Sequence, residues 1–119
     1  MTESERILVN GIAGEAIQGE TIALCGSIQN YRRNERKLGR MLTFNEAAAE
    51  WNSRIFSPII DQLTAPGMSL AIGHSLGNVF FHVLYAVEEN GFIYDPSLVR
   101  TEALGKAHGL RAMISKLIA

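Results

Sequence analysis

The run Val79-Phe80-Phe81-His82-Val83-Leu84-Tyr85-Ala86-Val87, followed by Glu88-Glu89-Asn90-Gly91-Phe92-Ile93-Tyr94, constrains the fold more than any other stretch of the chain. β-Branched and aromatic side chains favour a pleated, half-buried surface. Asn-Gly between two such runs is the strongest short hairpin signal, because both residues accept the positive φ of a tight primed turn. The pattern predicts antiparallel strands over 78–88 and 91–95, with Asp95-Pro96-Ser97 closing the second. Residues 68–73, Met-Ser-Leu-Ala-Ile-Gly, add a third strand-like run.

Around this sheet the spacing turns helical. Residues 7–12 read as a short strand or N-terminal arm. From Glu20 to about Lys37, Ile22, Ala23, Cys25, Ile28 and Tyr31 recur at three- and four-residue steps, which predicts an amphipathic helix. Thr43-Phe44-Asn45-Glu46 is a capping box for a second helix, which Pro58 ends or kinks, with a further turn through Leu63 before the breaker Ala65-Pro66-Gly67. Leu98 to Ile118 again carries apolar residues at helical spacing. Helices, then strands, then a helix give an α+β layout: N-terminal helices packed on a small antiparallel sheet, with a C-terminal helix. At 119 residues the chain is expected to be a single domain over 1–119, able to bury roughly two-thirds of its unfolded surface.

Charge and cysteine content narrow the function classes. The chain has 11 basic and 12 acidic residues, so no global field draws it to nucleic acid or an anionic membrane. Five of the 11 basic residues fall between Tyr31 and Arg40, where a solvated helix end accounts for them better than a nucleic-acid patch. No apolar run approaches the roughly 20 residues of a membrane span. The opening Met1 to Arg6 is polar and acidic and lacks the marks of a secretory signal, so the expected location is cytoplasmic. Cys25 is the one cysteine, which excludes an intrachain disulfide, and His74, His82 and His108 lack the spacing of a metal site. No cofactor is implied.

The stretch from His82 to Asp95-Pro96 resembles the His strand and the Asp-Pro strand of papain-like cysteine peptidases, particularly the small bacterial type related to the bacteriocin-leader peptidases. The order of motifs is the same: Cys25-Gly26-Ser27-Ile28, then a second helix from Thr43, then His82, then Asp95, with Gln18-Gly19 seven residues before the cysteine. The resemblance spans about residues 18–97. It implies a thiol hydrolase acting on a peptide or amide bond of a peptide or protein substrate. Cys25 would be the nucleophile, His82 its base and Asp95 the residue that orients the imidazole. Gln18 and the Cys25 amide would bind the oxyanion, a role worth roughly 3–4 kcal/mol per donor. A helix N-terminus and an imidazolium would both stabilise the thiolate on which such chemistry depends.

Register tests the dyad. A two-residue turn at Asn90-Gly91 pairs Ala86 with Asp95 and leaves His82 roughly 13 Å along the strand. A four-residue turn pairs Leu84 with Asp95 and makes His82 and Asp95 diagonal neighbours on one face. A three-residue turn puts them on opposite faces.

Two other readings stand beside the hydrolase. In the first, the chain is a non-catalytic binding or regulatory domain of the same or an unrelated fold. Cys25 is then a small core residue, His82 a satisfied histidine and Asp95 an ordinary turn residue. In the second, Gly73-His74-Ser75-Leu76-Gly77 is a G-x-S-x-G nucleophile elbow, with Asp95 and His108 following in the order of the α/β-hydrolases. An elbow needs a helix after Ser75, where the sequence reads as strand, and the 44 residues after Ser75 are too few for the remaining parallel strands.

Overall fold

The structure is a computed structural model. It describes residues 2–14, 17 and 20–118, with the backbone alone described at 111 and 114–118. Every regular element is helical: α1 (Glu3–Ala13), α2 (Thr21–Lys37), α3 (Phe44–Trp51), a π-helical stretch (Asn52–Phe56), α4 (Ser57–Thr64), α5 (Pro66–Ile72), α6 (Leu76–Glu89) and α7 (Pro96–Ile118). The chain divides into two compact units, Met1–Phe56 and Ser57–Ala119.

In the first unit, α2 packs against α1 and α3. The arm expected over 7–12 lies inside α1, which opens on a capping box: Thr2 accepts from the Glu5 amide, and the Glu5 carboxylate accepts from the Thr2 amide. The Thr43–Glu46 box opens α3 in the same way. Leu24, Ile28, Tyr31, Ala47, Ala48, Trp51 and Ile55 are buried. The helical run is unbroken from Phe44 to Thr64, and Pro58, which cannot donate an N–H, follows the π-helical stretch Asn52–Phe56 by two residues.

A polar cluster closes one edge of this unit. Arg40 donates twice to Glu50, at 3.0 and 2.7 Å, and once to Glu35 at 3.0 Å. The Tyr31 hydroxyl donates to Glu50 at 3.2 Å, and Arg54 lies 3.4 Å from the same carboxylate. Arg32 donates to the Leu42 carbonyl at 2.6 Å. Arg33 donates to the Asn30 side-chain oxygen at 3.1 Å, so three of the five clustered cations, Arg32, Arg33 and Arg40, are held in internal bonds. The hydrogen bonds from Arg40 are the main reason the Glu50 carboxyl titrates below its ordinary range, with the Tyr31 bond adding to them. A carboxyl depressed in the folded state stabilises above its unfolded pKa, and that stability is lost as pH falls through the folded value. Stability is therefore expected to decline below about pH 4.3. Glu50→Gln should flatten that decline in urea titrations at several pH values, by less than about 1 kcal/mol because the pair is partly solvated.

The second unit overturns the α+β expectation. Residues 68–73 fall in α5 and its end, residues 78–88 fall in α6, and residues 91–95 are the irregular link between α6 and α7. No described residue lies in a strand. The papain-like resemblance fails with the sheet, because its His and Asp belong on paired strands.

The physical reasons are local. Val79, Phe80, Val83, Leu84 and Val87 are all fully buried, which is the i, i+1, i+4, i+5, i+8 stripe of a helix and not strand alternation. Asn90-Gly91 ends this helix. Asn90 is the C-cap and Gly91 takes φ +74°. The Phe92 amide donates to the Val87 carbonyl and the Gly91 amide to the Glu88 carbonyl. That bond pair is a Schellman stop, and it uses the same glycine freedom that a hairpin turn would. Asp95-Pro96 begins α7. The Asp95 carboxylate accepts from the Ser97 amide at 2.9 Å, and Pro96 takes the first helical position, where it lacks no needed donor. Ala65-Pro66-Gly67 opens α5 with Pro66 in the first turn but without a side-chain cap.

Candidate functional site

The residues singled out from sequence fall in separate settings. Cys25 is the fifth residue of α2, in the first unit, and is only 8% exposed. Burial, followed by the nearby Glu5 carboxylate, raises its thiol pKa, which is the opposite of what a nucleophile needs. Gln18 lies outside the described residues. His82 and Asp95 belong to the second unit. Asp95 is engaged in capping α7. His82, midway along α6, has its Nε2 2.7 Å from Glu102 Oε2 on α7, a distance at which the ring N–H donates to the carboxylate.

Ser75 is followed by a helix, as a nucleophile elbow requires. It is preceded by α5 and a turn in place of a strand, and its Oγ donates to the Ile72 carbonyl at 2.6 Å. His74 and His108 are exposed. Among the described residues no group of three or more His, Cys, Asp or Glu could hold a metal ion. No single described helix is long and apolar enough to cross a membrane.

What the second unit does assemble is a pair of adjoining depressions along the α6–α7 seam. One, of about 450 Å³, is lined by Leu70, Ala71 and Ile72 of α5, the Gly73–Ser75 turn, Asn78 of α6, and Ala107 and Leu110 of α7. None of these residues carries a permanent charge. Leu70 is 87% exposed. The other, of about 250 Å³, is lined by the His82–Glu102 pair with Gly105, Lys106, Gly109, Leu110 and Met113. Leu110 lines both.

The residues that make this site, apart from His82 and the 73–75 turn, were not legible from the sequence. Leu70 read as a strand residue. Glu102 and Lys106 stand four apart, the spacing of an intrahelical ion pair. That spacing marks a helix face and gives no hint that Glu102 reaches across to α6. The histidine and carboxylate side chains are 39% and 35% exposed, so the pair adds little to stability. Comparison with family models, with curated proteins and with solved structures found no match to the chain.

Proposed function

We propose that this chain is a non-catalytic binding domain that receives an apolar side chain of a partner peptide or protein in the depression between α5 and α7. The observation that carries this reading is Leu70, 87% exposed on the lining of an open depression of about 450 Å³ that holds no Asp, Glu, Lys or Arg. An exposed leucine is unremarkable alone, but one that borders an apolar concavity supplies the setting in which anchor side chains bind. The chemistry-bearing residues support the same reading. The thiol of Cys25 is buried with a raised pKa, Asp95 is occupied as a helix cap, and the Ser75 hydroxyl is spent on the Ile72 carbonyl.

The test is selection from a displayed library of short random peptides on the wild-type protein, with Leu70→Asp as the counter-target. The substituted site is exposed, so the fold should tolerate the change. The enriched peptides are expected to share an apolar residue and to bind Leu70→Asp about tenfold or more weakly, a difference of about 1.4 kcal/mol. Enrichment that is indifferent to Leu70, or none, overturns the reading. So does hydrolysis of an enriched peptide that Cys25→Ala abolishes, which would restore the thiol hydrolase.

A further inference from the structure

The net charge of −1 conceals an uneven distribution. Residues 32–40 hold five cations and one acid, Glu35. That acid is buried and bonded to Arg40, whose guanidinium also bridges to Glu50. The other acid of α3, Glu46, accepts from the Thr43 amide as part of the cap. Arg33, Arg36 and Lys37 are exposed, and among the described residues no carboxylate lies within ion-pair distance of any of them. Arg32 and Arg33 donate to a carbonyl and to an amide oxygen, bonds that leave their charges uncompensated. Arg32 and Arg36 stand four apart on α2, as do Arg33 and Lys37, a like-charge spacing that costs a helix stability.

Two large apolar side chains stand out beside these cations. Leu38, at the C-cap of α2, is 70% exposed, and Met41 is 76% exposed. The link that carries them is held in place. Gly39 turns the chain at φ +88°, the Arg40 amide donates to the Glu35 carbonyl at 2.9 Å, and Arg32 holds the Leu42 carbonyl at 2.6 Å. Met41 is therefore clamped on both sides and kept out in solvent. The helix dipole favours cations in the last turn of α2. It gives no reason for an exposed leucine and methionine among them.

We infer that the C-terminal end of α2, with the link to α3, is a contact surface for an anionic lipid bilayer. Its cations take the headgroup phosphates and carboxylates, while Leu38 and Met41 enter the apolar boundary beneath. Cations and protruding apolar side chains on one surface are the combination that such an interface binds. A bilayer satisfies both classes of side chain without a complementary shape. A nucleic-acid backbone would use the cations and leave the two apolar side chains in water. An acidic protein surface would have to supply a hole for each. The contact belongs to the first unit and stands independently of the depression between α5 and α7.

Co-sedimentation of the full chain with phosphatidylcholine vesicles, with and without phosphatidylserine, is the experiment. The wild type is expected to bind the vesicles that contain phosphatidylserine, more weakly as salt rises, and to leave pure phosphatidylcholine unbound. Arg36→Gln with Lys37→Gln should weaken that binding about 25-fold, at roughly fivefold per cation. Leu38→Ser with Met41→Ser should weaken it about tenfold and keep its salt dependence. All four sites are exposed, so the fold should tolerate both pairs, which circular dichroism checks. No binding to phosphatidylserine vesicles overturns the inference, and so does binding that the two serines leave unchanged. Duplex DNA bound through Arg36 and Lys37 without vesicle binding reassigns the face to nucleic acid. Acidic peptides from the displayed library that depend on Leu38 and Met41, again without vesicle binding, reassign it to a protein partner.

Discussion

Trp51→Ala is expected to cost about 3–5 kcal/mol, a large part of the whole stability of a domain this size. Trp51 is completely buried near the end of α3. Its ring centroid lies 5.3 Å from that of Phe56, and its indole N–H donates to Ser27 Oγ on α2 at 3.0 Å. Truncation opens a cavity of nearly an indole's volume and removes a hydrogen bond from a buried hydroxyl. The two losses separate in a second variant. Trp51→Phe keeps most of the apolar contact but cannot donate, and should cost about 1–2 kcal/mol. Urea unfolding followed by far-ultraviolet circular dichroism measures both, since the chain's one tryptophan is the residue removed. A cost below 1 kcal/mol for Trp51→Ala would mean that the first unit is not organised around this side chain.

The first unit was largely readable in advance. The capping box at Thr43 and the spacing of Ile22, Ala23, Cys25, Ile28 and Tyr31 predict helices that the structure has, although Ile22 is 80% exposed and Leu24 takes its place in the core. The second unit was not, because each of its signals has two meanings. Asn-Gly supplies positive φ to a hairpin turn or to a helix stop, and what decides is whether the residues before it are paired across a ladder or wound on themselves. Asp-Pro ends a strand or caps a helix. A run such as Val79 to Val87 is apolar at most positions, so its period is hidden, and β-branched content tipped the reading toward strand. Length argued the other way: α6 has 14 residues, long for a strand and ordinary for a helix. The site suffered from the same ambiguity. His82 carries a chemical signal in the sequence, but a hairpin would bring it to Asp95. The α6–α7 packing brings Glu102 instead. Leu70, placed in a strand, could not be seen as an exposed residue on a helix beside a depression.

Substitutions along α6 provide the sharpest measurement of that difference. Phe80 and Leu84 are fully buried, Phe81 is half-buried and Tyr85 is 54% exposed. Strand alternation would group Phe81 and Tyr85 with Val79, Val83 and Val87 on one face, and leave Phe80 and Leu84 on the other. The helix instead buries Val79 with Phe80 and Val83 with Leu84. Phe80→Ala is therefore expected to cost about 3–5 kcal/mol and Leu84→Ala about 2–5 kcal/mol, through lost transfer energy and the cavities left behind. Tyr85→Ala should cost less than about 1 kcal/mol, because its ring is mostly solvated and its neighbour Phe81 lies 6.3 Å away between centroids. The ratio matters more than any single value, since errors in the unfolded-state reference act on all three variants in the same direction. If Tyr85→Ala and Val83→Ala prove damaging while Phe80→Ala and Leu84→Ala do not, the period along this segment is two, and the helical second unit is wrong. If Phe80 and Leu84 dominate and Val83→Ala is costly as well, adjacent positions are buried together and the period is that of a helix. His82 then lies on the less buried side of α6, facing Glu102 across the seam where the binding site is proposed.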